Sequence, residues 1–437
     1  MSGQPASTLS VASAFAELDQ AAYNLGDEHY ILDPWQALLV KRDLNAALEN
    51  IMVGLSSELK YALEARWGSD TEEWKEFNVL KTMKLVIAQG SSRFTVGLPL
   101  CMSSEINPSE DPNVNIGRNE QYLIDTVAWN DLFMLGAGGI GMLPRLLRPI
   151  IGPFFSIPIR YRSWKIKQSF KPEFKKRLEL IKNPKSENDP QDHLQLMMRF
   201  AQSDRPDELN INDMTNRLHM ANLGSYHQTN MAMANILLNI IASNKEHNTI
   251  ALLREEVSTI LAAHNNTWTK AAVSQMIKAD SVCRETLRIN SFGNRSILRQ
   301  VMVSDLKTED GILLPKGSMV SIMAHGAQVD STMFQNPLSF DPFRFSRIRE
   351  EDKNANVSFV STGPQFLPFG HGKFACPGRF LLDFEFKMMI AYIVSYYEIE
   401  FPVEYKGVRP VSEWMAEATL PPSEGRIRVR RKKESAI

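Results

Sequence analysis

The stretch NRLHMANLGSYHQTNMAMANILLNIIASN, Asn216 to Asn244, has the apolar spacing of one long helix and is apolar on most of that helix's faces. Such a helix cannot lie on a surface. Other elements must enclose it, which calls for a large domain built around it. The chain can supply one, with 437 residues of which 43% are hydrophobic and 23% charged. That is enough to bury a core beyond the usual single-domain size and to carry a subsidiary lobe.

The rest of the first two thirds reads as helix too. Apolar residues recur at three and four in DPWQALLVKRDLNAALENIMVGLSSELKYALEARWG, in ALLREEVSTILAAHN and in AAVSQMIKADSVCRETLRIN. After Asn290 the texture changes. NRSILRQVMVSDLKTEDGILLPKGSMVSIMAHGA carries β-branched runs broken by EDG and PKG, which predicts short strands and hairpins. NPLSFDPFRFSRIREEDKN shows neither period and reads as meander; helix returns from Arg379, and GRIRVRRKK closes as an alternating strand. The expected fold is mainly α with a small β lobe (α+β). Residues 1–290 are helix-rich, 291–365 carry strands and meander, and 366–437 carry a cysteine loop, the last long helix and the C-terminal strands.

Several function classes are disfavoured. A net charge of −1 and a pI near 6.7 give no global positive field for nucleic acid. Cys101, Cys283 and Cys376 are odd in number and widely spaced, without a CxxC or Cys/His ladder, which argues against a disulfide scaffold or structural zinc. The N-terminus shows no signal peptide or anchor, and the longest greasy run, Phe133 to Pro144, is too short to span a bilayer. The basic segment Arg160 to Lys182 lies beside apolar PIIGPFFSIPI; it reads as an exposed helix face or as a contact with anionic lipid.

The most specific stretch is FLPFGHGKFACPGRF, Phe366 to Phe380. Phe369, Gly370, Gly372, Cys376 and Gly378 surround a lone cysteine with glycines just before a helix-forming segment. Glycines allow tight turns and close backbone approach to a sulfur or a flat ligand. Backbone N–H groups and a helix N-terminus so placed favour a thiolate, and such a thiolate suits an iron ligand. A buried structural cysteine or a nucleophile are the rival readings. Upstream, Glu285 and Arg288 form ExxR on one helix face, and Arg344 in FDPFRF can complete a Glu–Arg network with them.

With these elements in this order, the chain resembles the cytochrome P450 family, in its fungal membrane-associated secondary-metabolism branch; SSRFTVGLPLC and NPLSFDPFRF add to the likeness. The resemblance spans nearly the whole chain and implies a single cytochrome P450 domain over 1–437, a helix-rich domain enclosing haem b with Cys376 as the axial thiolate. It implies that Phe369 belongs to the haem-binding loop, that Lys41, Arg299 and His371 contact haem propionates, and that Glu285, Arg288 and Arg344 are structural. The implied activity is insertion of oxygen from O2 into a hydrophobic small molecule, terpenoid or indole-derived. Electrons would come from NADPH-cytochrome P450 reductase at a face near Lys373 and Arg379, at the endoplasmic reticulum membrane surface. The alternatives are a haem-thiolate enzyme that rearranges, couples or desaturates without inserting oxygen, and a non-catalytic haem-binding remnant.

Three departures qualify the resemblance. Where the family's long helix carries an acid and a threonine, GSYHQT has Gly224 and Ser225, then His227 and Gln228, with Thr229 one place later. Gln228 cannot serve as a hydroxyl relay, although its amide can hold a water, so the alternatives are proton delivery by His227, Thr229 or substrate hydroxyls, or chemistry that needs less of it. Phe374 stands where the branch often has histidine. Only about thirty residues precede DPWQALLVKRDL, where relatives usually carry an anchor, a hinge and strands, which predicts an exposed edge on the sheet formed by GILLPKG and SMVSIMA.

Overall fold

A computed structural model describes residues 3–97, 119–184 and 189–433. Its longer helices are α1 (Val11–Leu18), α2 (Leu48–Trp67), α3 (Val79–Thr95), α4 (Glu120–Gly141), α5 (Arg148–Phe155), α6 (Ile157–Ile181), α7 (His193–Asp204), α8 (Ile211–His247), α9 (Thr249–Ala263), α10 (Ile277–Asn290), α11 (Arg344–Glu351) and α12 (Arg379–Tyr396). The strands are β1 (Leu9–Ser10), β2 (Lys75–Asn78), β3 (Arg295–Val301), β4 (Leu306–Lys307), β5 (Leu313–Leu314), β6 (Met319–Met323), β7 (Tyr397–Glu400), β8 (Glu413–Met415), β9 (Ala418–Leu420) and β10 (Arg426–Arg431). They form antiparallel sheets ordered β1-β3-β6 and β2-β10-β7, with two-stranded pairs β4-β5 and β8-β9. This is the mainly helical architecture with a small β lobe that the sequence pattern predicts.

Helix α8 starts where Asn210 accepts from the N–H groups of Asn212 and Asp213, and stops at Asn248 in the left-handed conformation (φ 51°). It passes between two apolar cores. Leu218 and Tyr226 pack with Trp129, Phe133 and Phe170 from α4 and α6, while Met233, Ile236, Leu237 and Ile240 pack with α2, α3, α10 and α12. A helix shared by two cores has no solvent face along most of its length, so apolar side chains fill most of its faces and polar ones such as His219, Asn222 and Asn235 are buried among them.

Two segments depart from the periodicity. The run from Asp33 to Gly68 breaks into a helix at Trp35–Leu39, a π-helical turn at Val40–Leu44, and α2. Beyond that turn the Asn45 side chain donates to the Pro377 carbonyl at 3.1 Å, so the break brings this segment against the cysteine loop. The meander contains α11, which periodicity misses because RFSRIREE is mostly polar. The Phe345 N–H donates to Ser281 Oγ at 3.0 Å, and Phe345 and Ser346 are buried.

The basic segments also sort themselves. Arg177 of α6 is buried between Glu173 (2.6 Å) and Asp192 (2.7 Å), so this helix is not wholly an exposed basic face. The C-terminal arginines lie on the central strand of their sheet, where Arg428 pairs with Glu400 at 2.7 Å and Arg426 with Glu404 at 2.8 Å. Strand β6 has no partner on its outer edge among the described residues, and Met323 there is 61% exposed. No described helix is long and apolar enough to cross a membrane.

Buried charge fastens the irregular segments. Glu285 accepts from Arg288 through both carboxylate oxygens at 2.7 Å, with both side chains fully buried. Glu285 also accepts from Arg344 Nε (3.1 Å) and from the Asp341 N–H (3.2 Å). Arg288 donates onward to the carbonyls of Gln328 (2.9 Å) and Pro337 (2.7 Å). Gln328 returns a bond to the Arg288 carbonyl and accepts the Leu367 N–H at 3.2 Å, which reaches the start of the cysteine loop. Beside this lattice, Lys387 of α12 lies 2.9 Å from Asp280 and 2.7 Å from Asp383, and Asp280 takes the Phe359 N–H at 2.8 Å.

Glu385 of α12 is buried with a single neutral donor, Ser91 Oγ at 3.2 Å, and burial pushes its carboxyl up to about 8 from the ordinary 4.5. Between those values the folded chain holds a proton that the unfolded chain releases, so this group's contribution to stability falls as pH rises from about 4.5 to about 8. Glu385→Gln keeps the Ser91 bond and removes the titration. The variant is expected to gain several degrees in melting temperature at pH 8 and little at pH 5; an equal shift at both pH values contradicts the assignment.

Candidate haem-thiolate site

The cysteine loop is a tight backbone coil. Gly370 and Gly372 take φ of +67° and +71°, values that residues with a Cβ rarely adopt. A short 3-10 turn at Gly372–Phe374 follows, and the Cys376 N–H donates to the Phe369 carbonyl at 2.8 Å. Phe369 meets Phe359 edge-on at 5.2 Å, and Phe359 rests on Phe386 of α12, so the loop is clamped from behind by aromatic packing.

Cys376 is exposed on one side and enclosed by the loop on the other. Burial pushes its thiol above the usual range, and the backbone N–H groups of Gly378 and Arg379 and the Arg379 charge offset only part of that rise. Those amides stand at the start of α12, where helix polarity adds to the stabilisation of a thiolate. A Cβ at Gly378 would sit 3.9 Å from the sulfur, in its packing shell. Cys283, by contrast, is fully buried and its thiol is pushed well above the usual range by burial. Cys101 lies outside the described residues, as does the end of SSRFTVGLPLC.

The candidate cations gather round the loop in different states. Arg299 is buried, its guanidinium 4.9 Å from the centre of the Phe374 ring, and its Nε has no protein partner. Lys41 lines a cavity of about 260 Å³ together with Asn45, Gly372, Lys373, Pro377 and Arg379. His371 Nδ1 is already 3.0 Å from Thr362 Oγ1. Phe374 is 40% exposed, not packed beneath the loop, and carries Arg299 and Lys373 over its ring.

On α8 the residues of GSYHQT separate by helical angle. Gly224 and Gln228, one turn apart, are exposed positions in the middle of an otherwise enclosed helix, and a Cβ at Gly224 would meet nothing within 4 Å. His227, 8% exposed, borders that stripe with its ring edge-on to Phe292 at 5.7 Å and Nδ1 unpartnered. Burial pulls the His227 pKa down, with the Asp131 carboxylate opposing and the Lys84 ammonium reinforcing this. Thr229 is buried, about 100° round the helix from Gln228, so the two do not share the exposed stripe.

Sequence reasoning missed Gln328, Phe292 and Asn294. Asn294 accepts from Thr419 Oγ1 at 3.0 Å, while its buried amide nitrogen has no protein partner. Phe292 and Asn294 directly follow the ExxR helix, a position that could have flagged them. Nothing local marks Gln328.

These residues fit a haem. Among the described residues the accessible cysteine, Cys376, sits under backbone donors, a buried guanidinium with a free Nε and a lysine stand beside its loop, and glycine and glutamine form an open stripe on a long helix.

The comparisons with known proteins agree. The family model described as Cytochrome P450 matches residues 114–429. The cytochrome P450 monooxygenase pbrC of Penicillium brasilianum is 46% identical over 98% of this chain and 79% of its own length. The cytochrome P450 monooxygenase astC of Aspergillus terreus is 45% identical over 98% and 80%, and tenB of Beauveria bassiana 39% identical over 98% and 79%. Helical architecture, cysteine loop and relatedness over nearly the whole chain lead to one conclusion: this protein belongs to the cytochrome P450 family, and its relatives are fungal cytochrome P450 monooxygenases.

Proposed function

We propose that this protein is a haem-thiolate monooxygenase that inserts one oxygen atom of O2 into a hydrophobic small molecule of fungal secondary metabolism, terpenoid or indole-derived. The observation that carries this reading is the accessible Cys376 sulfur held under the N–H groups of Gly378 and Arg379. Haem b bound there, its iron held by Cys376, would supply the reductive activation of O2.

The chain's own residues do the rest. The amides of Gly378 and Arg379 oppose the burial that raises the Cys376 thiol, and would stabilise the sulfur as thiolate once it ligates the iron. Arg299 and Lys41, with His371, would hold the carboxylates of the bound haem. Gln228 offers an amide that can hold a water on the open stripe of α8, and His227 and Thr229 hold or pass protons from the flanking faces. Exposed Lys373 offers a docking charge for NADPH-cytochrome P450 reductase, whereas Arg379 is committed to the carbonyls of Val360 (3.1 Å) and Cys376 (2.7 Å).

Gln228 also motivates a second reading, chemistry without oxygen insertion. Product made under labelled oxygen gas separates the two: label in the product supports monooxygenation, and its absence supports rearrangement, coupling or desaturation.

Location at the endoplasmic reticulum surface is part of the proposal. Leu146, Ile150 and Phe154 are 89%, 65% and 68% exposed around α5, beside Arg145 and Arg160.

Three outcomes are expected. The reduced, carbon-monoxide-bound protein should show a thiolate-ligated spectrum that Cys376→Ala abolishes; a wild-type protein without that spectrum would overturn the cofactor assignment. With a substrate found by screening hydrophobic small molecules, Gln228→Ala should lower product per oxygen consumed several-fold while haem content stays within about a fifth of wild type; equal loss of both contradicts the role. Finally, the protein should co-sediment with anionic phospholipid vesicles, and the triple change Leu146→Ser, Ile150→Ser and Phe154→Ser should reduce the bound fraction at least about threefold.

A further inference from the structure

A cavity of about 630 Å³ lies apart from the cysteine loop, bounded by α2, the end of α3, the last turns of α6 and the segment leading into α7. It shares no lining residue with the cavity of Lys41 and Lys373. Its volume is in the range that takes a small molecule. One wall is apolar, where Ile51 of α2, Phe94 of α3 and Leu180 of α6 meet. Ile51 and Phe94 belong to the apolar core behind it, so packing fixes that wall. On the rim, Asn50 donates to Gln191 Oε1 at 2.7 Å, which ties α2 to the segment before α7.

The charges round this cavity are not matched. Its acids are all engaged: Glu173 and Asp192 close on Arg177 at 2.6 and 2.7 Å, and Glu179 pairs with Lys182 at 2.6 Å. The carbonyls at the end of α6 are engaged too, since Arg199 donates to those of Ile181 (2.9 Å) and Asn183 (2.6 Å). Arg93 and Lys176 also line the cavity, and neither has an acid partner among the described residues. Lys176 is exposed and Arg93 half-buried. The Arg93 guanidinium lies against α2 at Gly54, where an added Cβ would come within 2.7 Å of Nη2, so the missing side chain gives the guanidinium its place. A guanidinium seated this way offers paired N–H donors that match a carboxylate or phosphate, and the ammonium adds a second positive charge.

We propose that this cavity binds an amphipathic anion, as a ligand site separate from the haem-thiolate centre. Its carboxylate or phosphate meets Arg93 and Lys176, and its apolar part covers Ile51, Phe94 and Leu180. A neutral apolar molecule would leave both cations without a counter-charge, and a bare inorganic anion would leave the apolar wall uncovered, so the ligand needs both parts.

Equilibrium dialysis of the haem-loaded protein against radiolabelled dodecanoate tests this, with the Soret band recorded alongside, because a ligand bound over the haem shifts that band and one in the remote cavity does not. The expected result is bound dodecanoate that leaves the Soret band unmoved and is displaced by dodecyl phosphate but not by dodecan-1-ol. Arg93→Gln and Lys176→Glu, in proteins that keep the wild-type carbon-monoxide spectrum, should each weaken that binding at least about tenfold. Lys176 is exposed, so its replacement keeps the test decisive even if Arg93→Gln does not fold. Dodecanoate that binds only with a Soret shift, binding that dodecan-1-ol displaces equally well, or binding that neither variant weakens overturns the proposal, as does a crystal structure in which the chain itself fills the cavity.

Discussion

The buried contact between Glu285 and Arg288 is the constraint on which the irregular third of the molecule depends. Two opposite charges with no solvent access hold their place only while every oxygen and N–H finds a partner. The partners are the Asp341 N–H, the Arg344 side chain and the carbonyls of Gln328 and Pro337. Each lies in a stretch without regular secondary structure or at its border. The ion pair therefore fixes backbone that neither helix nor sheet could hold, and removing one member would leave a naked buried charge, at about 3–5 kcal/mol. Through Gln328 and the Leu367 N–H the same lattice reaches the cysteine loop, so the position of Cys376 depends on a charge pair formed on another helix.

The opposite wall is set by a different constraint. Helix α8 is shared by two apolar cores, and its side chains are divided by angle among neighbours of different chemistry. Tyr226 bonds to Ser92 of α3 at 2.7 Å, His219 stacks on Trp129 of α4, and Asn235 accepts from Arg409 at 2.6 Å. Gly224 and Gln228 are left on the open stripe. Neighbouring residues in GSYHQT thus face different surroundings, with His227 buried beside Phe292 and Gln228 on the open stripe. That division explains how a helix enclosed on most sides can still present an open face.

Much of this was legible in the residues. The glycines round Cys376, the aromatic Phe369 and the helix after the loop are neighbours in sequence, and tight turns, capping and amide-to-sulfur bonds act over a few residues. The largely apolar character of Asn216–Asn244 likewise announced an enclosed helix, because a helix buried on several sides carries apolar residues on most of its faces. By contrast, α11 was hidden by its polar composition, the break at Val40–Leu44 by an unbroken apolar rhythm, and the burial of Arg177 by its basic neighbours.

By itself, then, the sequence determined the helical class, the thiolate loop and the presence of Glu285 and Arg288 on one helix face, all consequences of short-range geometry. Only the tertiary structure decided that Arg344, 59 residues from Glu285, closes the buried network, and that Gln328 carries it to Leu367, 39 residues further on. It also decided that Thr229 turns away from Gln228 and that His219 stacks on Trp129 of a different helix. Local periodicity is written in adjacent residues. Which charge or amide meets which across such distances depends on how the packed helices return the chain, and no local pattern encodes that.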